Sequence, residues 1–315
     1  MKLALLYRGQ LSSCNYGCAY CPFAKHRETR AELARDRRGL ERFVQWAAAR
    51  EGDSLSILFT PWGEALVRAC YRDAMVTLSR LPHVARVAAQ TNLSAPLGRL
   101  LELADPSRLA LWCTYHPEWT TRSRFLAKLA ELDRSGVRYS VGRVGFRRFL
   151  PEARAMRQAL RPDVYLWINA AKGSEIYREE DVVAFEAIDP LFRANTVRHP
   201  TRGIACRTGE DVVSVDGDGV VRRCHFVREP IGRIDDGSFD AALRARACPQ
   251  ATCDCHIGYV HVPALGLGEL FGHGILERIP TGFPWAPLRA DAIRALATRL
   301  TSHSLPIART GAAHA

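Results

Sequence analysis

The segment Leu11-Ser-Ser-Cys14-Asn-Tyr-Gly-Cys18-Ala-Tyr20-Cys21-Pro-Phe23 decides how this sequence is interpreted. It places three cysteines at the spacing C-x3-C-x2-C on a loop that also contains serine and glycine. Three thiolates on one such loop can bind three irons of a [4Fe-4S] cluster, whereas a closed cluster or a structural zinc site needs a fourth ligand. The segment therefore predicts a cluster held by Cys14, Cys18 and Cys21, with one iron open to another molecule.

Three other interpretations of these cysteines compete. They are a disulfide pair with one spare thiol, a zinc loop that borrows a distant ligand, and three unrelated core cysteines. Disulfides need an oxidising compartment, and core cysteines would not cluster on a polar loop. The iron–sulfur interpretation is therefore favoured.

Strands and helices are predicted to alternate along the first 195 residues. The apolar run Lys2–Arg8 leads directly into the cysteine loop. Later predicted strands are Leu55–Phe59, Val84–Asn92, Leu109–Tyr115, Val137–Val144 and Val164–Ile168, and a sixth helix is predicted at Asp181–Ala194. Runs buried on both faces are typical of a parallel sheet, which right-handed crossovers would wrap into a partial (β/α)6 TIM-type barrel. Ligands of this α/β fold class gather at the carboxyl ends of the strands.

The cysteine spacing, the aromatic Tyr20 before the third cysteine and the preceding strand resemble the cluster loop of the radical S-adenosylmethionine (radical SAM) superfamily. This resemblance covers residues 1 to about 195 and implies that the open iron chelates the amino and carboxylate groups of SAM. It also implies that Trp62-Gly63-Glu64, after the second strand, stands where the family has a Gly-Gly-Glu motif for the SAM amino group. Trp62 departs from the first glycine of that motif. Gly63 would let the backbone approach the ligand, and Glu64 would supply a carboxylate for an ammonium group.

The same resemblance implies four further SAM contacts. Tyr20 would contact adenine through its backbone, and Asn92 would lie near the ribose or methionine part. Arg143 and Val144, on the fifth strand, correspond to a carboxylate-binding arginine and an adenine contact. Four other polar residues are candidate substrate contacts or proton carriers, or else ordinary solvated loop residues: His116, Glu118, Arg122 and Lys172.

A second group of cysteines follows the predicted barrel: Cys206, Cys224, Cys248, Cys253 and Cys255. Val212–Val215 and Val220–Phe226 flank Asp216-Gly-Asp-Gly219, which predicts a β-hairpin that brings Cys206 and Cys224 toward each other. The pattern Cys206-x12-Gly219-x4-Cys224 resembles the twitch and SPASM extensions of radical SAM enzymes. The resemblance implies one auxiliary [4Fe-4S] cluster held by four of the five cysteines. A zinc site of four cysteines, or of three with His256, is the alternative.

The composition narrows the possible partners. Net charge is +11, yet only four of the 44 basic residues are lysines, and the 40 arginines are scattered along the chain. Without a basic stripe interleaved with aromatics, nucleic-acid binding is disfavoured, while an acidic partner remains compatible with the charge. The first apolar run is too short for a signal peptide, and no stretch reaches the ~18 apolar residues of a membrane span. A cytoplasmic protein with reduced cysteines is expected.

Together these features predict a radical SAM enzyme with one auxiliary cluster. The resemblance implies that an external flavodoxin- or ferredoxin-type donor reduces the first cluster, and that SAM then yields a 5′-deoxyadenosyl radical that abstracts hydrogen from a substrate. A peptide or protein is the first expected substrate class and a small metabolite the second. Two rival classes are a zinc-dependent nucleic-acid-binding protein and an electron-transfer iron–sulfur protein without SAM turnover. The predicted domains are a barrel at 1–195, an auxiliary cluster region at 196–260 and a tail with a terminal helix at 261–315.

Overall fold

The computed structural model describes residues 1–24 and 26–302, and the backbone of residues 305–306. The strands are β1 Lys2–Gly9, β2 Ser54–Phe59, β3 Val84–Thr91, β4 Leu109–Thr114, β5 Arg138–Val144, β6 Leu166–Asn169, β7 Val197–Pro200, β8 Ala205–Cys206, β9 Val212–Asp216, β10 Val220–Arg222, β11 Pro230–Arg233, β12 Arg246–Ala247, β13 Thr252–Cys253 and β14 Leu305–Pro306. The α-helices are α1 Arg30–Ala48, α2 Ala69–Ser79, α3 Gly98–Leu103, α4 Arg122–Arg134, α5 Leu150–Ala159, α6 Glu179–Glu186, α7 Phe192–Asn195, α8 Ser238–Ala242, α9 His256–Tyr259, α10 Leu267–Phe271 and α11 Pro287–Ser302. Short 3-10 helices lie at Ala65–Val67, Arg147–Phe149, Pro263–Leu265 and Gly272–Gly274.

The chain divides into two compact units, and the first comprises Met1–Tyr139 and Ala205–Arg246. Its strands form a sheet in the order β11-β10-β9-β1-β2-β3-β4. Strands β1 to β4 are parallel neighbours, β9 runs parallel to the other edge of β1, and β10 and β11 follow as antiparallel neighbours. All six residues of β4 are buried, as expected for a parallel strand covered on both faces. The predicted alternation of parallel strands and helices is confirmed.

Helix α1 shows how the sequence sets an element of this unit. The Thr29 hydroxyl accepts a hydrogen bond from the Glu32 N–H, and the Glu32 carboxylate accepts one from the Thr29 N–H, so a capping box begins the helix. Its buried residues include Leu40 and Phe43, and the Phe43 ring lies 4.5 Å from that of Tyr7 on β1. The helix therefore packs against the strand that precedes the cysteine loop.

The second unit comprises Ser140–Ile204 and Ala247–Ala315. Strands β5 and β6 pair in parallel, and β7 pairs antiparallel with both β13 and β14. The predicted terminal helix is confirmed as α11. The domain boundaries predicted at residues 195 and 260 stay a prediction. They separate regions of expected function, whereas the two compact units are defined by which residues pack together.

Two predicted elements can be compared directly with the structure. The hairpin is confirmed, since Val221 pairs with Val215 across β10 and β9. The prediction of a single helix at Asp181–Ala194 was wrong, because this segment forms two helices, α6 and α7. Between them the buried Asp189 carboxylate accepts hydrogen bonds from the Leu191 N–H, the Ile168 N–H and the Tyr165 hydroxyl. The Asp189 carboxylate binds backbone N–H groups that a continuous helix would bond to its own carbonyls or leave unbonded, so it favours a break in the helix at this point.

Among the residues that the structure describes, no helix combines the length and the apolar character needed to cross a membrane.

The contact between α1 and the hairpin turn gives a test of the first unit. A Cβ added at Gly39 would overlap the backbone carbonyl of Gly217. Among the described residues, apart from its chain neighbours and the backbone of its own helix, no heavy atom lies within 4 Å of a Cβ added at Gly98. Alanine usually stabilises a helix relative to glycine, but we expect Gly39→Ala to lower the free energy of unfolding by about 1–3 kcal/mol because the overlap forces a backbone shift. Urea unfolding measures the change. Gly98→Ala, at the start of α3, should be neutral or stabilising, and equal effects of the two substitutions would contradict the packing.

Candidate active site at the cysteine loop

The cysteine loop follows β1 directly and lies within the first unit. Cys18 is buried, and Cys14 and Cys21 are partly buried; all three are free cysteines rather than members of a disulfide. Cys21 donates a backbone hydrogen bond to the Cys18 carbonyl at 3.1 Å, which turns the loop between these two residues. Burial raises the pKa of Cys14 to about 11 and also raises the pKa of Cys18. A metal bound here would therefore supply the positive charge that ionises the thiols.

The chemistry of these residues fits an iron–sulfur cluster. In the described part of the chain, no group of three or more His, Cys, Asp or Glu side chains has a spacing that could hold a single metal ion. A [4Fe-4S] cluster differs from one ion because each thiolate binds a separate iron, so the sulfurs need not converge on one point. Three soft sulfur ligands on one loop match that cluster by type and number. Cys14, Cys18 and Cys21 remain its predicted ligands.

The backbone before Cys14 is held by a carboxylate that the sequence analysis missed. Glu28, with a side chain only 3% exposed, accepts hydrogen bonds from the backbone N–H groups of Ser12 and Ser13. The Ser13 hydroxyl accepts a bond from Arg68 at 3.0 Å, and the Ser13 carbonyl accepts one from the Glu64 N–H at 3.0 Å. Glu28 precedes the capping box of α1, but its partners lie about fifteen residues away in sequence, so no local pattern identified it.

The Trp62-Gly63-Glu64 segment packs directly on this loop. A Cβ added at Gly63 would overlap the Ser13 backbone, so glycine is required here by the approach of two chain segments. Trp62 is 39% exposed and lies between the Arg8 guanidinium, 4.1 Å from its ring centre, and the Phe23 ring at 4.2 Å. Gly63 therefore has a structural role in the packing of the two segments. Its predicted role, to let the backbone approach a ligand, stays a prediction.

The Glu64 carboxylate is buried and tied to the end of β3. Its Oε1 accepts hydrogen bonds from the Leu66 N–H at 3.1 Å and the Thr91 hydroxyl at 2.7 Å, and its Oε2 accepts one from the Asn92 N–H at 2.6 Å. Burial raises the pKa of Glu64 to about 7, although the three hydrogen bonds lower it in part. Two carboxylate oxygens offer about four acceptor positions, so one remains for a ligand.

Residues from the ends of β3 and β4 also contact the cysteines. The Asn92 amide nitrogen lies 3.6 Å from Cys14 Sγ, and His116 Nδ1 lies 3.5 Å from Cys18 Sγ. Tyr20 stacks on His116, with ring centres 6.2 Å apart and planes at 14°, and its hydroxyl lies 2.7 Å from Nδ1. The residues after β3 and β4 therefore lie beside the cysteine loop, and their contacts to SAM stay predictions.

The predicted SAM contacts on β5 belong to the second unit. Arg143 is 1% exposed, with its guanidinium carbon 5.1 Å from the centre of the Phe149 ring, and Val144 is partly buried. Lys172 contacts the Asp254 carbonyl oxygen, and burial lowers the pKa of its ammonium group. The predicted SAM contacts of Arg143 and Val144, and the predicted substrate or proton role of Lys172, stay predictions.

The five later cysteines are divided between the units. Cys206 and Cys224 are buried in the first unit, where Cys206 Sγ lies 3.2 Å from the Thr208 hydroxyl. In the second unit, the Cys248 N–H donates to the Ile204 carbonyl, Cys253 pairs with His199 between β13 and β7, and Cys255 caps α9. An auxiliary cluster at these cysteines remains a prediction.

The hydrogen bonds of Glu28 give a test of the loop anchor. Because Glu28→Ala leaves two backbone N–H groups without their carboxylate, we expect the free energy of unfolding to fall by about 1–3 kcal/mol. Amide hydrogen exchange at Ser12 and Ser13 should accelerate in the metal-free protein. Glu41→Ala removes an exposed carboxylate paired with Arg37 on the same helix and should change stability by about 0.5 kcal/mol or less. Unaltered exchange at both serines would show that Glu28 does not hold the loop.

The raised pKa of Glu64 predicts how stability depends on pH. Between its ordinary pKa of 4.5 and about 7, the folded metal-free protein holds a proton that the unfolded chain releases. The contribution of Glu64 to the free energy of unfolding is therefore fully present below pH 4.5 and is lost as the pH rises through 7. The total loss is up to about 3 kcal/mol. Urea unfolding at a series of pH values should show a flatter profile for Glu64→Gln than for wild type. Parallel profiles would mean that Glu64 does not titrate in this range.

Comparison with known proteins identifies the fold. No family model matches the sequence, and no curated protein matches it. The chain is similar to a solved structure of hexahistidine-tagged anSMEcpe with bound AdoMet, at a TM-score of 0.54 and 12% identity over 96% of this chain and 95% of that one. It is also similar to native anSMEcpe with bound AdoMet and Kp18Cys peptide, at 0.53 and 12% over 95% and 98%. A match to BtrN in complex with AdoMet and 2-DOIA covers 77% and 82% at 15% identity, but its TM-score of 0.37 is too low to support an argument. The chain has the mixed α/β fold of alternating parallel strands and helices found in radical SAM partial-barrel structures.

Proposed function

We propose that this chain is a radical SAM enzyme that holds a [4Fe-4S] cluster on Cys14, Cys18 and Cys21. The observation that carries the proposal is the arrangement around the cysteine loop. The loop follows the first parallel strand, and Glu64 and Asn92 approach it from the ends of the next two strands. The likeness of the fold to AdoMet-bound anSMEcpe supports the same conclusion.

The chain's own residues have separate tasks in this proposal. The bound cluster and SAM together supply a carbon-centred radical that abstracts hydrogen from the substrate. Glu64 binds the SAM amino group through its remaining acceptor position, and an ammonium group there favours the ionised carboxylate. Arg143 and Val144 on β5, together with the Tyr20 backbone, hold the carboxylate and adenine parts. The Trp62 ring, which contacts the Arg8 guanidinium and lies tilted against Phe23, borders the Glu64 segment and limits access of water.

An auxiliary [4Fe-4S] cluster completes the proposed enzyme. Four of Cys206, Cys224, Cys248, Cys253 and Cys255 would hold it, and when bound it would supply an electron acceptor for the substrate radical or a ligation site for the substrate. The confirmed hairpin between Cys206 and Cys224 supports this assignment, since it is the feature by which the sequence resembles twitch and SPASM extensions. Zinc at the same cysteines is the alternative, and metal analysis distinguishes the two.

A peptide or protein is the proposed substrate class, with a small metabolite second. The solved neighbour anSMEcpe was determined with bound AdoMet and Kp18Cys peptide, which supports the first class. A flavodoxin- or ferredoxin-type protein donates the electron. The net charge of +11 favours an acidic protein as that donor, because opposite charges steer the encounter.

Anaerobic reconstitution tests the proposal. We expect about eight irons and eight sulfides per chain in wild type and about four of each in a Cys14/Cys18/Cys21→Ala triple variant, because only the first cluster is lost. With dithionite and SAM, wild type should produce 5′-deoxyadenosine and the triple variant should not.

Each other result has a defined meaning. Iron in both proteins without deoxyadenosine from wild type would indicate an electron-transfer protein and contradict the proposed enzyme. About four irons in wild type and none in the triple variant would remove the auxiliary cluster from the proposal. A colourless protein that binds zinc and is retained on DNA would favour the nucleic-acid-binding class.

A further inference from the structure

Two of the predicted cluster ligands contact polar side chains that lie outside the cysteine loop. Asn92, directly after β3, places its amide nitrogen 3.6 Å from Cys14 Sγ. His116, just after β4, places Nδ1 3.5 Å from Cys18 Sγ. Both residues come from strand ends, so the sheet rather than the loop determines where these donors lie. Such contacts matter because hydrogen bonds to the sulfurs are one of the means by which a protein sets the potential of a cluster.

The orientation of the Asn92 amide follows from its other partners. Its Oδ1 accepts a hydrogen bond from the Ser94 N–H at 3.0 Å, so the NH2 group must be the end that faces Cys14. One hydrogen of this group is donated to Asn15 Oδ1 at 3.0 Å, and the other is directed toward the sulfur. The Tyr16 backbone N–H also donates to Cys14 Sγ, at 3.3 Å. Cys14 Sγ thus accepts from two N–H groups.

The second contact is a pair of stacked rings beside Cys18. His116 Nδ1 lies within hydrogen-bond distance of both the Tyr20 hydroxyl and Cys18 Sγ, and the Tyr20 hydroxyl also hydrogen-bonds to the thiol. A thiolate can only accept hydrogen bonds, and the Tyr20 hydroxyl has one proton to donate. When that proton goes to the sulfur, the 2.7 Å contact between Nδ1 and the hydroxyl oxygen requires a proton on Nδ1. In this tautomer the Tyr20–His116 pair directs a donor at the sulfur.

We propose that Asn92 and the Tyr20–His116 pair raise the reduction potential of the cluster on Cys14, Cys18 and Cys21, an inference that rests on the proposed function. In the reaction concerned, one electron passes from a low-potential donor to the oxidised cluster, and no bond is formed or broken. The added negative charge is shared by the cluster sulfurs and their thiolate ligands. Donors directed at those sulfurs stabilise the reduced form more than the oxidised form, so reduction becomes easier.

Two changes of similar shape remove the donors. Asn92→Leu keeps side-chain volume, and the joint change Tyr20→Phe/His116→Phe keeps two stacked rings while removing both groups that can direct a proton at Cys18 Sγ. The measurement is a redox titration monitored by electron paramagnetic resonance without SAM or substrate. SAM added at the end identifies the signal of this cluster by its altered line shape. At a fixed potential, we expect each variant to show at least about a threefold lower ratio of reduced to oxidised cluster, a shift of about 28 mV at 59 mV per tenfold. The variant that combines Asn92→Leu with Tyr20→Phe/His116→Phe should shift further.

Ser94→Ala is the matched control. It removes the hydroxyl that accepts from Asn15 at 2.9 Å and leaves both sulfur contacts in place, so its potential should equal that of wild type. Iron content is measured for every protein. If a substitution lowers it, Asn92→Ala, which adds no charge, or Tyr20→Leu/His116→Leu, which also removes both possible donors, replaces it in the titration.

The outcomes separate this inference from the proposed function. Variants that hold the full cluster and titrate at the wild-type potential would overturn the inference, even if wild type cleaves SAM. A shift of the Ser94→Ala control equal to that of the variants would overturn it too, because the effect would then be general to the loop. A wild type without iron at the first site would overturn the proposed function itself.

Discussion

The backbone of Ser13 is the point on which the arrangement of the site depends. Its N–H is bound by the Glu28 carboxylate, its carbonyl by the Glu64 N–H and its hydroxyl by the Arg68 guanidinium. Two other segments of the chain, one at Glu28 and one from Glu64 to Arg68, therefore contact the residue before Cys14. Such an arrangement reduces the freedom of the cysteine loop before any cofactor binds, so less conformational entropy is lost when one does. The absence of a side chain at Gly63 is what allows the closest of these approaches.

Charge in this region follows from burial rather than from the overall basic composition. Burial raises the pKa of Cys14, and the nearby Glu64 carboxylate raises it further, since two negative charges in a poorly solvated site disfavour each other. The metal-free loop therefore favours neutral thiols and, near pH 7, a partly protonated Glu64. A bound cation would reverse this preference, so any affinity of the loop for metal would depend on pH.

Local sequence signals predicted much of this structure. The apolar run before the cysteine loop is β1, and the turn residues Asp216 to Gly219 form the expected hairpin. What could not be predicted depends on partners distant in sequence. No sequence motif marks Glu28, because its role depends on hydrogen bonds from Ser12 and Ser13. The break between α6 and α7 depends in the same way on hydrogen bonds to Asp189 from Ile168 and Tyr165. Likewise, alternation along a strand does not reveal which face is buried, so the burial of Arg143 required the structure.

The pairing of β9 with β1 also affects how the protein is made. On a ribosome, β1 to β4 emerge early, yet the strand that covers the free edge of β1 begins only at Val212. Until then, the edge of β1 exposes unpaired N–H and C=O groups, a surface that other chains can join. The two parts of the first unit are therefore synthesised at different times. The unit cannot fold completely until residues 140–204 and the part that follows them have been translated. Chains released before the hairpin is translated would be expected to aggregate, although the cysteine loop is already present in them.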